Sequence, residues 1–154
     1  MQVETPKAGS KQATTTNIKR FKVKDSWKDY EVVLEVNLDR LTPERAEMIN
    51  SFWSDDKYRL RHENGDVVKA VIRLAGQTLI NAMLAQGGSE FYENTKGVFG
   101  DDPGAIWSKD DLHNEEGWGG SVEQDGFGWC GIRVVAAEVS MPGYDDLALA
   151  EVAS

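Results

Sequence analysis

Cysteine, histidine and uninterrupted apolar runs are all scarce in this sequence, and each scarcity removes a class of chemistry. The single cysteine, Cys130, excludes an intramolecular disulfide and any zinc site built from several thiolates, and it suits a reducing compartment. Two histidines, His62 and His113, restrict triad and metal chemistry almost as severely. Residues 1–10 hold no apolar run of the kind a secretory signal needs, so the chain is read as cytoplasmic. Val67 to Leu84 is nearly long enough to span a bilayer. Lys69, Arg73, Gln77 and Asn81 interrupt it about once per helical turn, which predicts a core helix and no membrane span. Basic charge is also in deficit: 17 Lys and Arg stand against 26 Asp and Glu, a net charge of −9 that argues against direct nucleic-acid binding by the chain as a whole.

What is present is a chain of 154 residues with 40% hydrophobic content, enough for one domain with a real core. Residues 1–17 contain almost no large apolar side chain and predict a flexible tail ahead of a single domain over 18–154. Residues 1–24 carry six basic groups and one acidic group, a net +5, whereas the remainder carries 11 basic and 25 acidic groups, a net −14. The body is thus more acidic than the total.

Phe21 and Val23 alternate with Arg20, Lys22 and Lys24 over Ile18–Lys24. A second period-2 segment places Tyr30, Val32, Leu34, Val36 and Leu38 on one face. Joined through Asp25 to Asp29 they predict a hairpin whose basic and acidic outward faces pair across the ladder. Thr42-Pro43-Glu44 starts a helix with an apolar stripe of Ala46, Ile49, Phe52 and Trp53, and Ser54-Asp55-Asp56 ends or re-caps it. Tyr58 to Glu63 is a charged connection without an assigned element. Asn64-Gly65-Asp66 opens the longest helix, about 66–86, which Gly87-Gly88 stops. Residues 89–126 are rich in Gly, Asp, Glu and Asn. Within them a short strand or turn is expected near Ala105-Ile106-Trp107 and a short capped helix from Ser108. Phe127 to Met141 carries apolar residues in both phases and predicts a long central strand, ended by Pro142-Gly143, with a last short element over Leu147 to Val152. The fold class is α+β: a small antiparallel sheet, made of the N-terminal hairpin and the long C-terminal strand, packed on two helices.

No phosphate-binding fingerprint is present: Gly126-Phe127-Gly128-Trp129-Cys130-Gly131 has loose G-x-G-x-x-G spacing but leads into a strand. No cofactor is expected. Asp101-Asp102, Asp110-Asp111 and Glu115-Glu116 cluster in the irregular segment, and hard cations prefer such oxygens. Adjacent residues point apart in extended chain, however, and the order of a calcium loop is missing, so no metal site is assigned. Trp118 and Trp129 lie on Gly-rich backbone, in Gly117-Trp118-Gly119-Gly120 and Gly126-Phe127-Gly128-Trp129, and form either an adaptable recognition surface, which with Trp107 would surround a pocket, or a cover for the end of the sheet.

Phe21-Lys22-Val23-Lys24-Asp25-Ser26-Trp27-Lys28-Asp29-Tyr30-Glu31, Leu41-Thr42-Pro43-Glu44, Ile49-Asn50-Ser51-Phe52-Trp53 and Ala136-Ala137-Glu138-Val139-Ser140-Met141-Pro142-Gly143-Tyr144-Asp145-Asp146 together resemble a family of small uncharacterised bacterial proteins associated with plasmids, prophages and other mobile elements. The resemblance spans roughly 18–152. It implies an accessory or counter-defence role and carries over no site residue, because these are fold motifs.

Three functions are expected to compete. The first is a non-enzymatic accessory protein of a bacterial mobile element whose acidic residues, with Asp101, Asp102, Asp110, Asp111, Glu115 and Glu116 as candidates, dock on a basic host protein that normally holds nucleic acid. The second is a small-ligand binder using Trp107, Trp118 and Trp129. The third is a divalent-dependent enzyme using the clustered carboxylates. An exposed aromatic patch or a free sheet edge leaves room for a homo-oligomer.

Overall fold

The computed structural model describes residues 17–97, 99–123 and 125–153. The expected tail lies outside them apart from Asn17, which is tied to the fold: its N–H donates to Asp39 and its carbonyl accepts from the N–H of Leu38.

Alternation produces strands β1 (Ile18–Lys24) and β2 (Glu31–Asn37) in antiparallel register, Phe21 opposite Leu34 and Val23 opposite Val32. Asp25 shapes the connecting loop by accepting from the N–H groups of Trp27 and Lys28 at 2.7 and 2.9 Å. Val32, Leu34 and Val36 are fully buried. Charges pair across the outward face as expected, with Arg20 on Glu35 at 2.8 Å and Lys22 near Glu31 at 3.7 Å.

Helix α1 (Pro43–Phe52) begins where Thr42 caps the N–H of Arg45 at 3.2 Å, and it buries Ala46 and Ile49. The unassigned connection is a further helix, α2 (Asp56–His62), with no fully buried residue. It forms because Arg59 is anchored: its guanidinium donates to the carbonyls of Asn50 at 2.9 Å and Ser54 at 2.7 Å, satisfying the open end of α1. Helix α3 (Val67–Ala85), capped by Asp66 on the N–H of Lys69, is long and apolar enough to cross a membrane by composition alone. Here it packs against all four strands of the sheet.

Gly87 and Gly88, both at positive φ, do more than stop α3: they turn the chain directly into β3 (Gly88–Phe91), a strand within the segment read as irregular. Helix α4 occupies Pro103–Ser108, so Ala105-Ile106-Trp107 is helical, and Ser108 ends the element it was expected to start. Asp102 and Pro103 supply the cap and first position, and a π-helical turn over Lys109–His113 continues α4. Strand β4 runs Ile132–Ser140, starting later than expected because Gly128 and Gly131 hold positive φ before it. After a 3-10 turn at Tyr144–Asp146, residues 147–153 form no regular element, so the expected last element is absent there.

The sheet order is β1-β2-β4-β3, entirely antiparallel, and with the four helices among the described residues this is an α+β fold. β4 is central, but its apolarity in two phases has a local origin. Val33 pairs with Ala136 and Leu34 with Val134, leaving Val135 as a bulge that resets which side chains face inward. Ile132 and Val134 are buried before it, and Ala137 and Val139 after it.

Candidate functional site

The acidic segment is held firmly against the sheet. Ser108 is the pin: its hydroxyl donates to the carbonyl of Gly104 at 2.7 Å and accepts the N–H of Val134 at 2.8 Å. A second pin is His113, whose Nε2 lies 2.6 Å from the carbonyl of Ile132. Burial lowers the pKa of this ring.

On that scaffold the predicted residues separate into two groups. Asp102 is a helix cap, accepting from the N–H groups of Gly104 and Ala105, with exposed Asp101 beside it. At the other end of α4, Asp110, Asp111 and Glu115 come together near the C-terminus of α3, where the Gln86 amide donates to Asp111 at 3.1 Å. Partial burial, aided by the neighbouring charges of Asp110 and Glu115, raises the Asp111 pKa. Glu116 follows, exposed. Residues 99–123 contain seven carboxylates and one lysine, and none of the seven forms an ion pair among the described residues. Among the described residues no three Asp, Glu, His or Cys side chains gather in a metal-holding arrangement.

The tryptophans do not converge on a pocket. Trp118 is fully buried, which places it in the core and away from any exposed contact surface. Trp107 packs against the core and donates from Nε1 to Ser89 at 3.0 Å. Trp129 is covered by the Arg45 guanidinium, 4.3 Å from its ring centroid. Cys130 is buried, and that burial pushes its thiol up to about 12, leaving no thiolate at neutral pH.

Two features escaped the sequence reading because both depend on strand register. The first is a row of like charges on the outward face of the sheet: Glu138 on β4 stands opposite Glu31 on β2 and Glu90 on β3. Glu138 and Glu90, followed by Glu31, raise the pKa of the adjacent Tyr92 phenol, which bonds Glu90 at 3.3 Å. The second is a pair of adjoining grooves, each about 400 Å³, between β1, an edge strand among the described residues, and helices α2 and α3; they share Val23, Lys24, Glu63 and Arg73. Basic side chains predominate there, so the β1 edge opposes the rest of this acidic molecule in sign. The only signal in the sequence was the run of basic residues in β1, which was already accounted for by pairing with β2.

No solved structure matches the chain. Two curated proteins do, each 32% identical over 103 residues that cover 67% of this chain and 75% of the relative: protein ea10 of Escherichia phage lambda, and a lambda prophage-derived protein ea10 of Escherichia coli O6:H1. Residues 31–149 match a family described as protein of unknown function. That span covers every described element except β1 and agrees with the resemblance carried by the sequence motifs. The chain belongs to this family, DUF2528, and is similar to phage and prophage proteins of the mobile-element kind its motifs resemble.

Proposed function

We propose that the protein is a non-enzymatic accessory protein of a mobile element, acting in the cytoplasm by protein–protein contact. Its carboxylate surface docks on a basic host protein that handles nucleic acid, in a counter-defence role. The observation that carries this reading is the set of seven carboxylates over residues 99–123, none of them in an ion pair among the described residues, on a firmly pinned segment. Asp111 adds support. Its raised pKa means that the charged form is disfavoured by the fold, a cost that a purely structural site would shed by carrying Asn. Carboxylates on a rigid frame present negative charge where a basic cleft otherwise receives phosphates.

The test compares the full chain with the triple variant Asp110→Asn/Asp111→Asn/Glu115→Gln. The immobilised wild type is expected to retain a nucleic-acid-handling host protein at low salt and to release it to salt or to competing duplex DNA. The variant is expected to lose that retention while melting at the same or a higher temperature, because relieving like-charge repulsion and partial burial favours the fold. Equal retention by both chains, or none by either, would overturn the proposal.

A further inference from the structure

The solvent face of α1 carries an apolar pair that the core does not use. Phe52 belongs to the stripe expected to face inward, yet it is 49% exposed, and Met48, one turn earlier, is 62% exposed. The helix buries Ala46 and Ile49 instead, and Trp53 at its C-cap packs against the core. Phe52 is nonetheless held in place. Its ring meets Trp53 edge-to-face at 4.9 Å, and Gly117 lies so close that an added Cβ would come within 2.6 Å of Phe52 Cδ2. A half-exposed aromatic ring fixed on two sides has little conformational entropy left to lose on binding, which is the condition of an anchor residue.

Carboxylates surround this pair. Glu44 and Glu47 stand on the same exposed side of α1, and Glu115 and Glu116 lead directly into Gly117, where the acidic segment touches Phe52. All four are exposed, and none forms an ion pair among the described residues. The one basic residue of α1, Arg45, is turned onto the Trp129 ring and donates to the Trp129 carbonyl at 2.7 Å. An apolar centre within a charged rim is the anatomy of a protein interface, and here the rim has one sign. A cationic surface with apolar side chains of its own complements both parts.

We propose that this face is the apolar anchor of the acidic docking surface, and that the partner presents a basic amphipathic helix to it. Glu44, Met48 and Phe52 form one ridge at i, i+4 spacing, the row that seats in the groove of a facing helix. Apolar side chains of the partner close over Met48 and Phe52, and its lysines or arginines meet Glu44, Glu47, Glu115 and Glu116. The inference rests on the reading of the acidic segment as a docking surface and adds the class of occupant. Charge alone accepts any polycation, whereas the ridge selects one that carries an apolar stripe.

Two synthetic helical peptides of equal length and charge serve as probes, one of lysine with a leucine stripe, the other of lysine and alanine. Methyl NMR of the full chain, labelled at its methionines, reads the contact. Met141, 49% exposed just after β4, is the control for unspecific adsorption. The leucine peptide is expected to bind one to one at low salt and to move the Met48 methyl while leaving Met141 in place. The alanine peptide, and the leucine peptide on Met48→Ser/Phe52→Ser, are each expected to bind about tenfold more weakly. Met48→Ser alone changes an exposed side chain, which separates binding from folding, and it too is expected to weaken the leucine peptide. Equal affinity for the two peptides, equal shifts at Met48 and Met141, or unchanged affinity in Met48→Ser overturns the inference and leaves the acidic docking reading standing. No binding of either peptide at low salt overturns the inference together with that reading.

Discussion

At His113 a ring nitrogen, a carbonyl and a glycine constrain one another. The carbonyl of Ile132 can only accept, so Nε2, 2.6 Å away, carries a proton. Gly128 stands at φ +69°, and a Cβ there would come within 2.6 Å of the imidazole Cγ, so a side chain at 128 is excluded both by backbone strain and by space. Burial depresses the ring's pKa in the fold, whereas in the unfolded chain it titrates near its ordinary value of about 6.5. Between those two values the unfolded state binds more protons. The contribution to stability is therefore complete above the unfolded pKa and is lost as pH falls toward the folded one. Urea unfolding at about pH 7.5 and about pH 5.5 should show the wild type losing stability at the lower pH by more than His113→Gln does. Identical losses in the two proteins would mean that the ring binds protons alike in the folded and unfolded chain.

Among the elements, β1 and α3 approach closely at Gly76. Glycine inside a helix costs about 1 kcal/mol relative to alanine, so Gly76→Ala on a bare helix would stabilise. Here an added Cβ would lie 2.5 Å from Cβ of Val23, and the sign reverses: Gly76→Ala is expected to destabilise by about 1–3 kcal/mol. Thermal melts of Gly76→Ala, Val23→Ala and the double variant check it. The expected coupling is favourable, since the alanine at 23 withdraws two methyl groups from the collision; an additive pair would show that the strand simply shifts away. The elements that the sequence revealed are those whose signals are local. Thr42-Pro43 and Asp66 cap real helix starts, and the alternation of Phe21 and Val23 builds a real strand. Those it hid depend on distant partners. β3 is four residues long and exists because β4 lies beside it, and α2 exists because Arg59 reaches back to α1. Ala105-Ile106-Trp107 was too short a run for period to separate helix from strand, and Asp102-Pro103, which decides the matter, stands just upstream.

For the molecule as a whole, charge is sorted by sheet edge. The basic grooves lie along β1. The carboxylate-rich segment around α4 joins the opposite edge through Trp107 and Ser89 of β3, about 14 Å away across the sheet. Summing charge along the sequence exposed the acidic body but not this polarity, because neighbours in a sheet are set by strand order and not by position in the chain. The same limit hid the row of Glu31, Glu138 and Glu90, residues that are unremarkable until register places them opposite one another. It also explains why three tryptophans with similar sequence surroundings have three different fates: core, strand contact and cation cover.

The bulge in β4 has a further consequence, for chain length. Without Val135 the remaining residues would alternate without interruption, Ile132, Val134, Ala137 and Val139 inward and Arg133, Ala136 and Glu138 outward, so the extra residue is an insertion the sheet has already absorbed. Deleting Val135 should leave a folded protein with every neighbouring side chain on its present face. A circular dichroism melt of that deletion variant checks this, and loss of the folded state would mean that the sheet needs the bend and not only the count.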